Sequence, residues 1–318
     1  MTEITPWHWA GFIVCILFFI ALDLGAFSRG ARAVGFKQSL GWSALWLALA
    51  MLFALGLLGW RGRSEATQFA TGYLIELSLS LDNILVIALI FSAFRVPSVW
   101  QHRVLFFGIL GALVMRGIMI GVGAELIHRF SGVLYVFGVF LVFTGVKMIF
   151  SRREILQPEK SLILRLLRQC YPVAPDFDRS KFFTVINQRR ALTPLALVLV
   201  LVESSDLFFA LDSVPAVFSV TREAFIVFTS NVFAILGLRS LYFLLAGALD
   251  YFRYLKFGLS LVLVFVGAKM LLEPHGHAAQ WWQLAIPNGV ALLAIAAIVA
   301  MAMGLSVAAA RREKRVSP

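Results

Sequence analysis

Nine stretches of this chain are apolar for long enough to cross a lipid bilayer: about 8–27, 40–60, 68–94, 103–126, 131–150, 192–218, 224–247, 255–272 and 285–308. Nothing else in the sequence restricts the fold as much. The hydrocarbon core of a bilayer is about 30 Å thick, and about 20 apolar residues in helical geometry span it. Inside hydrocarbon every backbone N–H and C=O must be satisfied within the chain. A span is therefore either a helix or a strand of a closed barrel. Barrel strands are about 10 residues long and alternate in polarity, whereas these blocks are longer and apolar throughout. The expected fold is all-α and polytopic, with nine transmembrane helices. Composition agrees: 60% of the 318 residues are hydrophobic and 14% are charged, where a soluble domain carries about 25% charged residues.

The formal net charge of +11 is a matter of topology rather than of nucleic-acid binding. Of the 28 Lys and Arg, twenty fall in loops on one side of the predicted spans, with nine between Arg152 and Arg190 and four after Ala310. The other side holds Arg61, Arg63, Arg129 and Arg222. Loops rich in Lys and Arg stay in the cytoplasm. The expected protein is integral to a bacterial-type plasma membrane, with its N-terminus outside and its C-terminus in the cytoplasm. The first apolar block lacks a basic leader and a small-residue cleavage site, so no cleaved signal peptide is expected. Cys15 and Cys170 form no CxxC and predict no disulfide.

The chain reads as one transmembrane unit over 1–318. It divides into two leading spans (1–67), three spans (68–150), a basic connection (151–191), three more spans (192–273), and a last span with its tail (274–318). Within the connection, "SLILRLLRQ" has the pattern of a short amphipathic interfacial helix, and "DRSKFFTVINQRRALTP" that of a small hairpin. No independent soluble domain is evident.

Two spans violate their own hydrophobicity. "ELSLSLDN" places Glu76, Asp82 and Asn83 in the third, and "ESSDLFFALDS" places Glu203, Asp206 and Asp212 in the sixth. A carboxylate at the centre of a membrane helix costs about 2.5–3.5 kcal/mol on insertion scales, and such residues mark ion or proton pathways. Helical geometry brings Glu76 and Asn83 within about 20° of each other and sets Glu203 and Asp206 on one face, but points Asp212 about 180° from Glu203. Pro215 cannot donate to the carbonyl of Leu211. Unwinding near Leu211–Asp212 is therefore expected, turning Asp212 inward and freeing a carbonyl oxygen.

The two acidic stretches belong to a longer match. "ELSLSLDN" aligns with "DLFFALDS", "LVMRGIM" around Arg116 with "LGLRSLY" around Arg239, and "VFTGVKMIF" around Lys147 with "VFVGAKMLL" around Lys269. Each copy holds three spans, so the second enters the membrane from the opposite side. This is the plan of an inverted-topology repeat, spans three to five against spans six to eight, in which a substrate site lies at mid-membrane between the copies.

Carboxylate, amide, hydroxyl and carbonyl oxygens suit hard cations such as Mg²⁺, Ca²⁺ or Mn²⁺. All five histidines (His8, His102, His128, His275 and His277) lie at or beyond span ends, which disfavours Cu⁺ and, less strongly, Zn²⁺. The competing reading is structural: the acids pair with Arg116 and Arg239. Five acids in two spans exceed what two arginines can neutralise. Asp23 reads either as an interfacial residue or as a peripheral ligand on the cation's path. Lys147 and Lys269, near opposite membrane faces, are expected to snorkel to water. Gly138, Gly145, Gly258 and Gly267 suggest close helix packing. The tryptophans at span ends, Trp7, Trp9, Trp60, Trp100, Trp281 and Trp282, read as interface anchors.

With "YLIELSLSLDN", "LVESSDLFFALDSVPAVFSVT", "TSNVFAILGLRSLYFLLAG" and "VFTGVKM", the chain resembles the TerC family of integral membrane proteins, especially its Alx branch, over nearly its whole length. The resemblance implies Mn²⁺ efflux, with Glu76, Asp82, Asn83, Glu203, Asp206 and Asp212 matching the acidic motifs of the family. The leading expectation is a secondary transporter that exports Mn²⁺, coupled to proton antiport, since carboxylates in a desolvated site can trade a metal ion for protons. The transported ion takes the place of a cofactor, and none is expected. The alternatives are export of another divalent cation such as Ca²⁺, or a membrane scaffold linked to tellurium resistance. No enzymatic role is expected: the chain has neither a GxGD protease motif nor a GxxxxGK[ST] loop. Sequence leaves the oligomeric state open.

Overall fold

A computed structural model describes residues 4–27, 35–130, 132–150, 162–186, 188–245, 254–274 and 283–316. These residues form ten helices: α1 (Pro6–Phe27), α2 (Phe36–Trp60), α3 (Arg63–Ala93), α4 (Ser98–Arg129), α5 (Val133–Phe150), α6 (Leu162–Cys170), α7 (Pro194–Phe218), α8 (Ala224–Leu245), α9 (Leu255–Leu272) and α10 (Asn288–Val316). They also form one antiparallel hairpin, β1 (Phe183–Ile186) with β2 (Arg189–Leu192), in which Phe183 faces Leu192.

Among the described residues, eight helices (α2–α5 and α7–α10) are long and apolar enough to cross a membrane, while the apolar part of α1 is the shorter Pro6–Ala21. The outward surface is hydrocarbon-like: Leu52, Val114, Ile118, Val122, Phe143 and Leu293 are each more than half exposed. Glu76, Asn83, Arg116, Asp206, Asn231 and Lys269 are all buried. An apolar exterior of this extent around a polar interior defines an integral membrane protein.

Local chemistry sets the boundaries of the helices. Gly62, at φ +91°, supplies the left-handed turn between α2 and α3, and Arg61 Nε bonds Glu65 Oε2 at 2.7 Å across it. At the start of α7, Thr193 Oγ1 accepts from Ala196 N at 3.3 Å and Pro194 occupies the first turn. Short connections make successive helices antiparallel. α8 is the central post, buried along most of its length. It packs on α2, α3 and α4, while α7 packs on α3 and α4.

The most intimate contact joins α5 to α9. A Cβ on Gly138 would meet the carbonyl oxygen of Gly267 at 3.1 Å, and one on Gly145 would meet that of Ser260 at 2.9 Å. The same seam sets Gly267 against Val142 and Gly145 against Val264.

The connection between α5 and α7 contains both expected elements. α6 lies at "SLILRLLRQ" and buries Leu164, and the hairpin is tied to the start of α7 by Thr193 Oγ1 donating to Lys181 O at 2.7 Å.

Two expectations are corrected. α7 is helical from Pro194 to Phe218 with Pro215 inside it, so no break occurs at Leu211–Asp212. Pro215 sits in the last turn, where its missing donor releases one carbonyl, and Ser219 N closes that turn onto Pro215 O at 3.2 Å and Ala216 O at 3.3 Å. Lys269 does not snorkel. It is 2% exposed, and its Nζ donates to Ser219 O at 2.9 Å and pairs with Glu273 at 2.6 Å. A cation at the carbonyl end of α7 meets the negative pole of that helix, which makes burial favourable there. Lys147, by contrast, is exposed. Trp281, Trp282, His275 and His277 lie outside the described residues, as does the side chain of Asp23.

Candidate functional site

Asp206 stands twelve residues from either end of α7, about 18 Å along the axis from each. It is therefore at mid-depth. Glu76 reaches the same level from α3, Arg116 from α4, and Asn231 from α8. Their relative exposures are 5%, 0%, 2% and 1%, so the whole cluster is withdrawn from both lipid and water.

Arg116 is the hub. Its Nη1 donates to Glu76 Oε2 at 2.5 Å, Asn231 Oδ1 at 3.0 Å and Ser213 Oγ at 3.1 Å. Its Nη2 donates to Asp206 Oδ1 at 3.1 Å, and its Nε to Asp206 Oδ2 at 3.4 Å. Asn231 Nδ2 donates to Glu76 Oε1 at 2.5 Å, and Asn83 Nδ2 to Asp206 Oδ1 at 2.9 Å. Each carboxylate thus receives one arginine and one amide. The planar fork of a guanidinium suits this task in a way that a lysine ammonium does not.

Three of the six sequence-predicted donors, Glu76, Asn83 and Asp206, meet here. Asp82 and Asp212 each follow their cluster acid by six residues, about 240° further round the helix. Both are half-buried, and Asp212 accepts a hydrogen bond from Thr144 on α5. Glu203 is half-buried on the Asp206 side of α7, within electrostatic range of Asp206. Its carboxylate lies against Gly111 of α4, where a Cβ would overlap it. Among the described residues, no three His, Cys, Asp or Glu side chains gather as a ready-made metal site. The pairing of acids with Arg116, weighed from sequence as the structural alternative, is what the structure contains for Glu76 and Asp206.

Sequence reasoning missed Asn231, and it placed Arg116 with the acids only in the structural alternative, leaving its part in transport open. The available signal was an amide eight residues before Arg239, inside a predicted span.

Beside the cluster lies a cavity of about 20 Å³ bordered by Asn83, Gly108, Ala112 and Asp206. Asn83 Oδ1 is buried and has no hydrogen-bond partner among the described residues. A second recess, of about 510 Å³, opens at the far end of α7 and α9 and is bordered by Arg61, Glu65, Glu223 and Glu273.

Helices long enough to cross a bilayer, closed around a buried ionic hub, define a polytopic α-helical membrane protein with a charged core. The chain belongs to the TerC family of integral membrane proteins, whose family model matches residues 61–315. It is 55% identical over 268 residues to "Uncharacterized membrane protein STKORF319" of Myxococcus xanthus, covering 84% of each chain. It is 46% identical over 282 residues to "Putative membrane-bound redox modulator Alx" of Escherichia coli K12, covering 86% of this chain and 88% of that one. The protein of the same name in Photorhabdus laumondii is 42% identical over 313 residues, 95% of each chain. No solved structure matches.

Proposed function

We propose that this protein is a secondary transporter that exports a divalent cation, Mn²⁺ foremost, from the cytoplasm through its buried acidic core, with protons moving in exchange. One observation carries the reading. Glu76 and Asp206, from two different membrane helices, converge at mid-depth, where charge is costly, and share Arg116 between them. Every acceptor on the hub is an oxygen of the kind that hard cations prefer. The choice of Mn²⁺ within that class rests on resemblance to the family.

An inverted repeat, as expected from the sequence, would supply an alternating route. Aligning Lys147 with Lys269 maps Gly138 onto Ser260, Val142 onto Val264 and Gly145 onto Gly267. The contact of Gly138 with Gly267 then becomes that of Ser260 with Gly145, and Gly267 on Val142 becomes Gly145 on Val264; all four contacts are present. Pairwise exchange of this kind is what a two-fold relation between α5 and α9 requires. The loop charges support a plasma-membrane protein with its C-terminus in the cytoplasm. Export of two positive charges against a potential negative inside is opposed by about 2.3 kcal/mol per charge per 100 mV, which is why proton coupling is included.

The test is metal flux in proteoliposomes with Mn²⁺, Ca²⁺, Mg²⁺ and Zn²⁺, with and without a pH gradient. Mn²⁺ flux accelerated by an opposing proton gradient, and abolished by Glu76→Gln and Asp206→Asn in folded protein, is the expected result. Absence of flux for all four ions overturns the transporter reading in favour of a membrane scaffold.

A further inference from the structure

The five oxygens around Arg116 form a shell that does not need an arginine. Glu76 Oε2, both oxygens of Asp206, Ser213 Oγ and Asn231 Oδ1 all point at one guanidinium, at 2.5–3.4 Å. Carboxylate, hydroxyl and amide oxygens are also the ligands of a hard divalent ion. We propose that Arg116 is a tethered counter-cation, seated in the oxygen shell that the transported ion takes over, so that metal binding displaces the guanidinium from Glu76 and Asp206. This rests on the transport reading above and extends it by adding Ser213 and Asn231 to the ion's ligands and Arg116 as its competitor.

Charge arithmetic makes the exchange a substitution. Glu76 and Asp206 carry two negative charges when ionised, and Arg116 returns one. A divalent ion alone balances the pair. Ion and guanidinium together would set three positive charges against two negative ones at close range in a medium of low dielectric constant, where like charges repel strongly. The incoming ion also has a seat at the edge of the shell. Asn83 already spends its Nδ2 on Asp206 Oδ1, while its Oδ1 is a buried acceptor with no donor among the described residues. The cavity of about 20 Å³ beside it has the size of one water molecule or one bare ion. Gly108 and Ala112 on α4 leave that space by having almost no side chain. A lone acceptor beside a carboxylate, facing room for one particle, calls for a cation or a water.

The experiment measures Mn²⁺ affinity in lipid nanodiscs by the loss of the free-ion electron paramagnetic resonance signal. It compares the unmodified protein with Arg116→Gln, Arg116→Lys and Asn231→Leu. Arg116→Gln is expected to bind Mn²⁺ at least tenfold more tightly yet to transport it more slowly, because nothing displaces the bound ion. Free guanidinium should compete with Mn²⁺ in Arg116→Gln, where the seat is vacated, and not in the unmodified protein. Asn231→Leu is expected to weaken binding. If Arg116→Gln folds only with Mn²⁺ present and unfolds on chelation, the ion has replaced the arginine, as expected. If it does not fold even with Mn²⁺, Arg116→Lys decides. A single ammonium cannot fork between two carboxylates, so tighter Mn²⁺ binding supports the proposal, and equal or weaker binding overturns it. Equal or weaker binding by folded Arg116→Gln overturns it as well. Should the unmodified protein carry Mn²⁺ while neither variant binds it more tightly, the competitor role alone falls. Should no folded form bind any divalent ion, the transport reading falls too.

Discussion

The carboxylate of Glu203 rests on the bare Cα of Gly111, so close that a methyl group at position 111 would occupy the space of both its oxygens. The obstructed atoms are the free end of a flexible side chain, which can swing aside. Gly111→Ala therefore folds, with a stability change within about 1 kcal/mol because alanine is the better helix former, and Glu203 leaves the α4–α7 contact. If Glu203 serves the ion path, this displacement lowers Mn²⁺ flux by about tenfold or more, the scale that misplacement of a functional group produces. Flux and thermal midpoint measured on the same preparation separate the two effects. Unchanged flux would place Glu203 outside the path.

Removing the arginine from the hub should be far more damaging than removing all of the hub's charges together. Arg116→Gln alone leaves Glu76 and Asp206 buried without their shared counter-cation, and the expected loss without divalent ions is about 3–5 kcal/mol. Arg116→Gln combined with Glu76→Gln and Asp206→Asn removes all three charges, so at least part of that stability should return, as it does when buried ionic groups are replaced whole. Reversible unfolding in mixed detergent micelles with chelator present reads the difference. A triple variant no more stable than the single one would show that the charge balance is not what holds these helices together.

The seam between α5 and α9 tolerates no added carbon. At Gly145 and Gly267 the obstruction is backbone, within 2.8–3.0 Å of where a Cβ would stand, so neither neighbour can give way by rotating a side chain. Gly145→Ala and Gly267→Ala should each destabilise the protein by about 1–3 kcal/mol, as overpacking does, and by similar amounts, since backbone atoms obstruct both positions at the same range. Gly121→Ala, in the open on α4, is the control and should be neutral or slightly stabilising. Thermal midpoints of the three variants make the comparison.

Outside the membrane helices, Asp178 accepts from Thr184 Oγ1 at 2.9 Å and pairs with Lys181 at 3.3 Å. These bonds, the threonine hydroxyl first, hold its carboxyl below the usual carboxylate range. A carboxyl lowered by folding contributes stability that is present above its unfolded value, about 3.9, and is lost as pH falls through the folded value. Hairpin amides should therefore lose protection in hydrogen exchange only on acidification below about pH 4, after correction for intrinsic rates. Asp178→Asn should remove that dependence. Loss of protection at neutral pH in the unmodified protein would contradict the assignment.

The spans were legible because hydrocarbon leaves a chain few choices, and the connection after α5 because its amphipathic and hairpin patterns are local. The hub was half legible. Glu76 and Asn83 are seven residues apart, two helical turns, and that spacing alone sets them on one face. Asp82 and Asp212 occupy the same motifs, yet six residues from the hub acids turns them away. Motif letters therefore do not show which of the acids the hub gathers. Pro215 misled because its effect depends on position in the helix, and sequence did not reveal that it lies in the final turn. Lys269 misled because its partner, the Ser219 carbonyl at the end of α7, is a tertiary contact without a local signal. Asn231 became meaningful only when four helices were brought together, since its two partners are 115 and 155 residues away in the chain.

The glycine seam also imposes a schedule on synthesis. α5 leaves the ribosome long before α9, with the whole of α6, α7 and α8 still to be made. Until α9 arrives, the bare face of α5 at Gly138 and Gly145 lacks the helix that fills it, and lipid cannot reach as close to a backbone as the carbonyls of Ser260 and Gly267 do. Assembly of the bundle must therefore finish late, with the penultimate membrane helix as its keystone. A chain stopped short of Leu255 would carry an unfilled groove in the bilayer, a mark by which cellular quality control could recognise an incomplete copy.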